Sequence, residues 1–214
     1  MEMLAFQVLF SKFTVKAGEL QFKVVERRDF FGRAAWHFQA NAQSVDTVRL
    51  LYPLDDQFDS YTDAASLTSL QYETYLRESG QKEDHTWRMD AGEEPIPSGV
   101  PAARVAPGTR DPIGLLYALR AADWKKNPEL RVPVFDGRHL YDVRASVAQG
   151  MSSIKVPAGQ FNASHIQVRV FENNRELTDT SFSVWLADDS TRTPVLIEAA
   201  LPIGSARVEL TGKR

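Results

Sequence analysis

The sequence predicts a mainly β protein, built as a strongly curved antiparallel sheet or incomplete β-barrel with two short helices, one packed on the concave face. Three observations lead to this prediction. Apolar and polar residues alternate with a period of two along much of the chain, turn-forming residues separate the alternating runs, and one helical segment is apolar on nearly every side. Roughly ten antiparallel strands are more than a flat open sheet usually holds, so we expect the sheet to curl.

The first half of the chain alternates most clearly. Residues 4–10 place apolar side chains on one face of a strand, and residues 20–24 repeat the same phase, which predicts a hairpin. Residues 34–41 predict a third strand with one polar face. Further strands are predicted at 58–62, 67–77 and 82–90, the last two joined at Ser79-Gly80.

Residues 91–110 separate the two halves of the chain, and their apolar residues follow no regular period. Because this stretch is rich in Pro and Gly, we interpret it as a long loop rather than a domain linker. Asp136-Gly137 and Asn173-Asn174 are typical hairpin turns, and two more turns are predicted around 188–190 and 202–205. The strands between them are expected near 130–135, 138–148, 160–172, 181–187, 193–200 and 204–212. We therefore expect a single domain over residues 1–214.

Two segments have helical signals. Ser44 can cap a short helix through Tyr52, with Pro53 ending it. In the second segment Asp111 is the predicted cap and Pro112 takes the first helical position, before an apolar run that reaches Arg120. Because this second helix has no polar side, we expect it to be buried against the concave face of the sheet.

Composition excludes several classes of function. The formal net charge is −3, from 25 Lys and Arg against 28 Asp and Glu, so no basic excess is available to bind nucleic acid. The chain contains no Cys, which removes disulfides, thiolate metal sites and a cysteine nucleophile. No apolar run approaches the roughly 20 residues of a transmembrane helix. No glycine pattern of a phosphate-binding loop is present, so no cofactor is predicted.

The titratable residues do not form a recognisable catalytic or metal-binding motif. The four His residues lie in strand patterns without the spacing of a metal pair. Asp188-Asp189 and Asp55-Asp56 could serve as paired carboxylates or calcium ligands, but both stand where turns need Asp, and we interpret them as turn formers. The chain is therefore not predicted to be an enzyme, although an unrecognised carboxylate-dependent hydrolase stays open as a third possibility.

Several segments in order resemble the bacterial domain-of-unknown-function 3108 family. The resemblance rests on the segments 16–20, 111–120, 135–138, 157–161 and 185–210, which together span nearly the whole chain. Members of that family are typically exported proteins, so the resemblance implies a periplasmic or otherwise extracytoplasmic location after removal of a signal sequence. No activity or catalytic residue comes with it. A looser, fold-level analogy links the predicted half-barrel to periplasmic lipoprotein carriers.

A curved sheet of this size readily encloses a cavity, which favours a binding or carrier protein for an apolar or amphipathic, lipid-like ligand. We expect the ligand to enter between the second helix and the sheet. Arg120 and Tyr117 are predicted near the mouth, where a cation could meet an acidic head group, with Trp36 and Trp185 deeper inside. The alternative is an envelope scaffold that binds another protein. In that case Arg120 would be an ion-pair anchor for the helix, and the aromatics would fill a packed core.

Overall fold

The structure, a computed structural model, describes residues 1–10, 15–89, 99–201 and 204–214. It contains twelve strands and two helices. In chain order they are β1 (Met3–Phe10), β2 (Val15–Phe30), β3 (Arg33–Ser44), α1 (Asp46–Leu51), β4 (Asp55–Asp63), β5 (Ser69–Glu78), β6 (Gln81–Arg88), α2 (Pro112–Ala121), β7 (Glu129–Phe135), β8 (Leu140–Val156), β9 (Gly159–Glu172), β10 (Arg175–Ala187), β11 (Pro194–Leu201) and β12 (Gly204–Lys213).

All twelve strands belong to one antiparallel sheet in the order β6-β5-β4-β3-β2-β1-β12-β11-β10-β9-β8-β7. The sheet consists of two six-stranded meanders that meet where β1 pairs with β12. Because every neighbouring pair is antiparallel, the odd-numbered strands all end at one rim, here called the upper rim, and the even-numbered strands end at the opposite, lower rim. The predicted curved sheet is confirmed, with twelve strands rather than roughly ten, and hydrogen bonds do not close it into a barrel.

The curvature has an identifiable source in the strands. Register shifts interrupt the pairing at several points, including Val24/Glu26, Val147/Met151 and Glu176/Ser181. Such bulges bend a strand and increase its twist, which is how a long sheet wraps around a core. The apolar residues of the inner face then form one continuous buried cluster, which includes Phe6, Phe38, Ile166 and Leu210.

Helix α2 lies within the concave face, as expected from its lack of a polar side. Asp111 caps it as predicted, since its carboxylate accepts hydrogen bonds from the backbone N–H groups of Ile113 and Gly114. Leu116 and Leu119 are buried and Leu115 is partly buried. The helix begins beside the end of β7, where Arg110 bridges Val134, and it ends near the lower rim, where Arg120 pairs with Glu2.

The segment before α2 runs between the two edges of the sheet. Arg88 of β6 forms a parallel bridge with Ala102, and Arg110 forms one with Val134 of β7. Both edge strands are thereby partly covered, which reduces their tendency to pair with other chains. Residue 90 of the predicted strand 82–90, residues 91–98 of the predicted loop, and Pro202 and Ile203 of the last predicted turn lie outside the described residues.

Two local predictions differ from the structure. Ser44 does not cap α1, because it ends β3 with its side chain buried, where its hydroxyl accepts a hydrogen bond from the backbone N–H of Leu54. Val45 takes the cap position without a side-chain hydrogen bond. Strand β8 continues to Val156, beyond the predicted end at 148, because the bulge after Val147 changes the register without ending the pairing.

Candidate functional site: an apolar cavity

A cavity of about 370 Å³ separates α2 from the inner face of the C-terminal meander. Its volume lies within the range of small-molecule sites, roughly 300–1,000 Å³. Helix α2 contributes three leucines, Leu115, Leu116 and Leu119, together with Pro112. The sheet and the turn after β7 contribute the remaining side chains, which are Phe22, Val134, Asp136, Tyr141, Val143, Val168, Val170, Leu177, Thr180, Phe182, Val184 and Ile197.

The strand pattern explains why the wall of this cavity is apolar. In β9, Val168 and Val170 face inward and alternate with the exposed Gln167 and Arg169. Pairing of Val184 with Ile197 extends the same apolar surface across β10 and β11. Among the described lining residues, Asp136, Tyr141 and Thr180 alone carry polar side-chain groups.

These polar residues mark the upper rim as the mouth of the cavity. Asp136 follows the end of β7, Tyr141 lies at the start of β8, and Leu177 and Thr180 lie near the start of β10. Residues between Glu176 and Ser181 of β10 also leave the register with β9. The cavity therefore extends from α2 toward the upper rim, where β7 ends and where β8 and β10 begin.

A buried polar cluster holds the N-terminus of α2 in place beside the cavity. Asp111 is completely buried, and its Oδ2 accepts hydrogen bonds from the hydroxyls of Ser60 and Ser69 at 2.5 Å each. Burial raises the pKa of this carboxyl group, while the hydrogen bonds from the two serines and from the helix N–H groups oppose the rise. The cluster joins the helix to β4 and β5, so the position of the leucines is set from this end.

The C-terminus of α2 is held by Arg120. Its guanidinium makes a bidentate pair with Glu2, with Nη1–Oε2 at 2.7 Å and Nη2–Oε1 at 2.8 Å, and also donates to the carbonyl of Thr191. The side chain of Arg120 is 8% exposed. It also lies 5.0 Å from the centre of the Tyr117 ring. Within the described residues Arg120 therefore meets a protein carboxylate, at the lower rim.

The three aromatic residues predicted to contact a ligand do not lie together. Tyr117 and Trp36 both stack on Phe38, with ring centres 3.7 Å and 6.1 Å from it. Trp185 stacks on His165 at 4.5 Å. It alternates with Val184, which lines the cavity, so it lies on the opposite face of the sheet.

Arg120, Tyr117, Trp36 and Trp185 are thus absent from the described lining of the cavity, and their role in ligand binding stays a prediction. The valines of β8 to β10 that form the wall are not among the residues predicted from the sequence to bind a ligand. Their alternation is visible in the sequence, but the same pattern describes a fully packed core, and only the distance between α2 and the sheet distinguishes the two.

The paired carboxylates are used in local structure. Asp189 accepts hydrogen bonds from the backbone N–H groups and the hydroxyls of Thr191 and Thr193, which is a turn-forming arrangement. Asp55 and Asp56 are not the turn formers that the sequence predicted, because both lie in β4, where Asp55 pairs with Arg49 and Asp56 accepts a hydrogen bond from the backbone N–H of Arg77 on β5. In the described ranges, no group of three or more His, Asp or Glu side chains is placed to hold a metal ion. No described helix is long and apolar enough to span a membrane.

The fold is similar to that of one solved protein, and two further structures have a weaker likeness. A barrel-like protein of the DUF1849 family from Brucella abortus has 9% sequence identity and a TM-score of 0.62, over 99% of this chain and 96% of that chain. A candidate lipoprotein from Parabacteroides distasonis has 10% identity and a TM-score of 0.42, over 100% of this chain and 94% of that one. A candidate exported protein with a YmcC-like fold from Bacteroides fragilis has 11% identity and a TM-score of 0.39, over 100% and 95%.

No curated protein matches the chain. The model of a family described as protein of unknown function (DUF3108) matches residues 5–211, nearly the whole length. This match confirms the resemblance found in the segments around Asp111, Phe135 and Pro157. The chain therefore belongs to the DUF3108 family.

Proposed function

We propose that the protein is an extracytoplasmic binding or carrier protein of the bacterial envelope that holds an apolar or amphipathic ligand in its half-barrel. The cavity between α2 and the C-terminal meander is the observation that carries this proposal. A scaffold has no need of an unfilled apolar interior, because cavities reduce the stability of a core. Membership of the DUF3108 family supports the extracytoplasmic location, because resemblance to this family implies an exported protein.

The arrangement of the cavity supports a ligand with an apolar tail. Leu115, Leu116 and Leu119 form one wall and the inward valines form the other, so a tail would be shielded from water along most of its length. The polar groups lie together at the upper rim, where a head group would remain close to solvent. This division is what an amphipathic ligand requires.

The proposal is tested by asking what the protein carries. The exported form is purified from a bacterial host without detergent, extracted with organic solvent, and the extract is analysed by mass spectrometry. Binding of the uncharged dye 1-N-phenylnaphthylamine is measured on the emptied protein. We expect a bound apolar compound and saturable dye binding.

Val168→Phe tests whether binding takes place in the cavity. Val168 is buried and lines the cavity, so a phenyl ring there should fill part of the space and weaken dye binding about tenfold. Val15→Phe is the matched control, because Val15 is exposed at the start of β2 and a ring there fills no cavity. The proposal would be contradicted if the extract contained no apolar compound and the wild type did not bind the dye. It would also be contradicted if both variants weakened dye binding equally.

One observation favours an interaction module of the envelope as a second candidate function. Five of the seven large apolar side chains exposed among the described residues lie at the upper rim, namely Val15, Leu50, Leu51, Tyr52 and Leu140. Leu50 and Leu51 are 85% and 83% exposed, and α1 has no buried residue. The two functions can be separated, because Leu50→Ser with Leu51→Ser should leave dye binding unchanged while abolishing function in cells if a partner binds this rim.

A further inference from the structure

The mouth of the cavity has an electrostatic character that limits the ligands it can accept. Asp136 is the single charged residue among the described lining residues, and the cavity wall there has no Lys or Arg. The neighbouring Arg138 and His139 are exposed and do not belong to the lining. Arg120, the cation predicted from the sequence to bind an acidic head group, is instead paired with Glu2 at the lower rim.

The turn holds the carboxylate of Asp136 at a fixed position. Its Oδ1 accepts hydrogen bonds from the backbone N–H groups of Arg138 and His139, at 2.7 Å each. Its Oδ2 lies 3.9 Å from Nδ1 of His139, which is too far for a direct hydrogen bond. An Asp that forms such a turn has little freedom to withdraw when a ligand arrives.

Two hydroxyl groups accompany this carboxylate at the mouth. Burial, followed by the negative charge of Asp136, raises the pKa of the Tyr141 hydroxyl, which therefore stays protonated at neutral pH. Thr180 lines the cavity from β10. A head group that donates hydrogen bonds finds acceptors in all three side chains, whereas a second negative charge at this position would be repelled by Asp136.

From this charge distribution we infer that the cavity selects amphiphiles whose head group donates hydrogen bonds and carries no negative charge, such as an alcohol or an ammonium, over those with a carboxylate. The inference rests on the proposed function, since it concerns the ligand of the same cavity. It assigns Asp136 as the residue that determines this specificity.

The test compares three ligands with the same unbranched alkyl tail: dodecanol, dodecylammonium and dodecanoate. Each is titrated below its micelle-forming concentration at neutral pH against protein loaded with 1-N-phenylnaphthylamine, and displacement of the dye is measured. We expect dodecanoate to bind about fivefold more weakly than dodecanol, the upper end of the range for a charge effect at a partly exposed site.

Asp136→Asn isolates the charge. An Asn side chain keeps an oxygen that can accept from the N–H groups of Arg138 and His139, so the turn should be retained. The preference for dodecanol over dodecanoate should then fall to about twofold or less, and Asp136→Lys should reverse it. Asp179→Asn is the matched control, because Asp179 is an exposed carboxylate of the same rim and does not line the cavity. The Asp179→Asn variant should prefer dodecanol over dodecanoate as strongly as the wild type does.

The outcomes separate this inference from the proposed function. If neither the dye nor any ligand binds, the proposed function fails. If the dye binds and Val168→Phe weakens it, but the three ligands bind equally or dodecanoate binds best, the proposed function stands and the inference is overturned. Equal loss of preference in Asp136→Asn and Asp179→Asn would also overturn it, since the effect would then come from the general charge of the rim.

Discussion

Trp87 and Phe135 bring together the two edges of the open sheet. Trp87 lies on β6 and Phe135 on β7, the two strands at opposite ends of the strand order, yet their rings are 5.9 Å apart at an angle of 86°. This edge-to-face geometry is favourable for aromatic pairs. The barrel is therefore completed at this point by a side-chain contact where no backbone ladder joins the strands.

Gly137 shows how closely the two edges approach. A Cβ atom at this position would lie 2.7 Å from Cη2 of Trp87, and the backbone φ of +100° is itself unfavourable for other residues. The indole cannot easily move away because it also stacks on Tyr72 and His85. We predict that Gly137→Ala lowers the free energy of unfolding by about 2 to 4 kcal/mol, measured by urea denaturation.

Gly80→Ala is the matched control for this prediction. Gly80 lies in a hairpin turn with a similar φ of +85°, but a Cβ atom at this position would have no atom within 4 Å. Gly80→Ala should lower the free energy of unfolding by about 1 kcal/mol, because backbone strain is its sole cost. Equal losses in the two variants would mean that the contact with Trp87 does not constrain the turn.

Leu116 tests whether α2 is an integral part of the core. It is buried between the helix and the sheet and also lines the cavity. We predict that Leu116→Ala destabilises the protein by about 2 to 5 kcal/mol, as loss of a buried leucine side chain usually does. Leu50→Ala, at an 85% exposed position, should change stability by less than about 0.5 kcal/mol. An unchanged denaturation midpoint for Leu116→Ala would show that the helix is peripheral.

Substitution of Arg120 tests whether this residue anchors α2 or binds the ligand. Because its bidentate pair with Glu2 is largely buried, Arg120→Ala leaves Glu2 with the more distant Lys213, at 3.9 Å, and should lower the free energy of unfolding by about 1 to 3 kcal/mol. The affinity for 1-N-phenylnaphthylamine and the composition of the organic extract should stay the same, since Arg120 does not line the described cavity.

Exchange of the two charges gives the control. Glu2→Arg combined with Arg120→Glu should recover part of the lost stability, because the opposite charges remain in contact. If the Arg120→Ala variant stayed folded but its organic extract contained no bound compound, Arg120 would bind the ligand. The head-group preference assigned to Asp136 would then need revision.

Asp189 should make stability depend on pH in the acid range. Burial opposes ionisation of this carboxyl group, but the hydroxyl and backbone N–H of Thr193, the hydroxyl of Thr191 and the charge of Lys213 outweigh it and lower the pKa to about 2. A carboxyl group with a lowered pKa stabilises the fold above its unfolded pKa, about 4, and this contribution is lost as the pH falls toward 2.

The measurement is an NMR titration of the Asp189 side chain in wild type and in Thr193→Val. Removal of the Thr193 hydroxyl should raise the pKa of Asp189 toward its usual range, and the acid side of the stability curve should shift upward in pH with it. The same Asp189 pKa in both proteins would show that the hydrogen bond from the Thr193 hydroxyl does not control the ionisation of Asp189.

Much of the local structure could be predicted because its causes are local. Alternation places Leu4 and Phe6 on the inner face, Asp111 and Pro112 begin a helix, and Asn173-Asn174 form a turn in which both residues have positive φ. Each feature depends on backbone conformations and hydrogen bonds within a few residues. Ser44 is an exception, because its hydroxyl accepts a hydrogen bond from the backbone of Leu54 across the connection and does not cap the helix that follows it.

The sequence by itself therefore determined the strands, the capped apolar helix and the curved sheet that must bury it. Tertiary structure decided which residues meet: Arg120 with Glu2, Trp87 with Phe135, and Asp136 with the mouth of a cavity whose wall is made of valines. These contacts join residues far apart in the chain, and the space between α2 and the sheet depends on how the bulged strands bend. A period of two specifies the face on which a side chain lies, but it carries no information about the distance to the opposite wall.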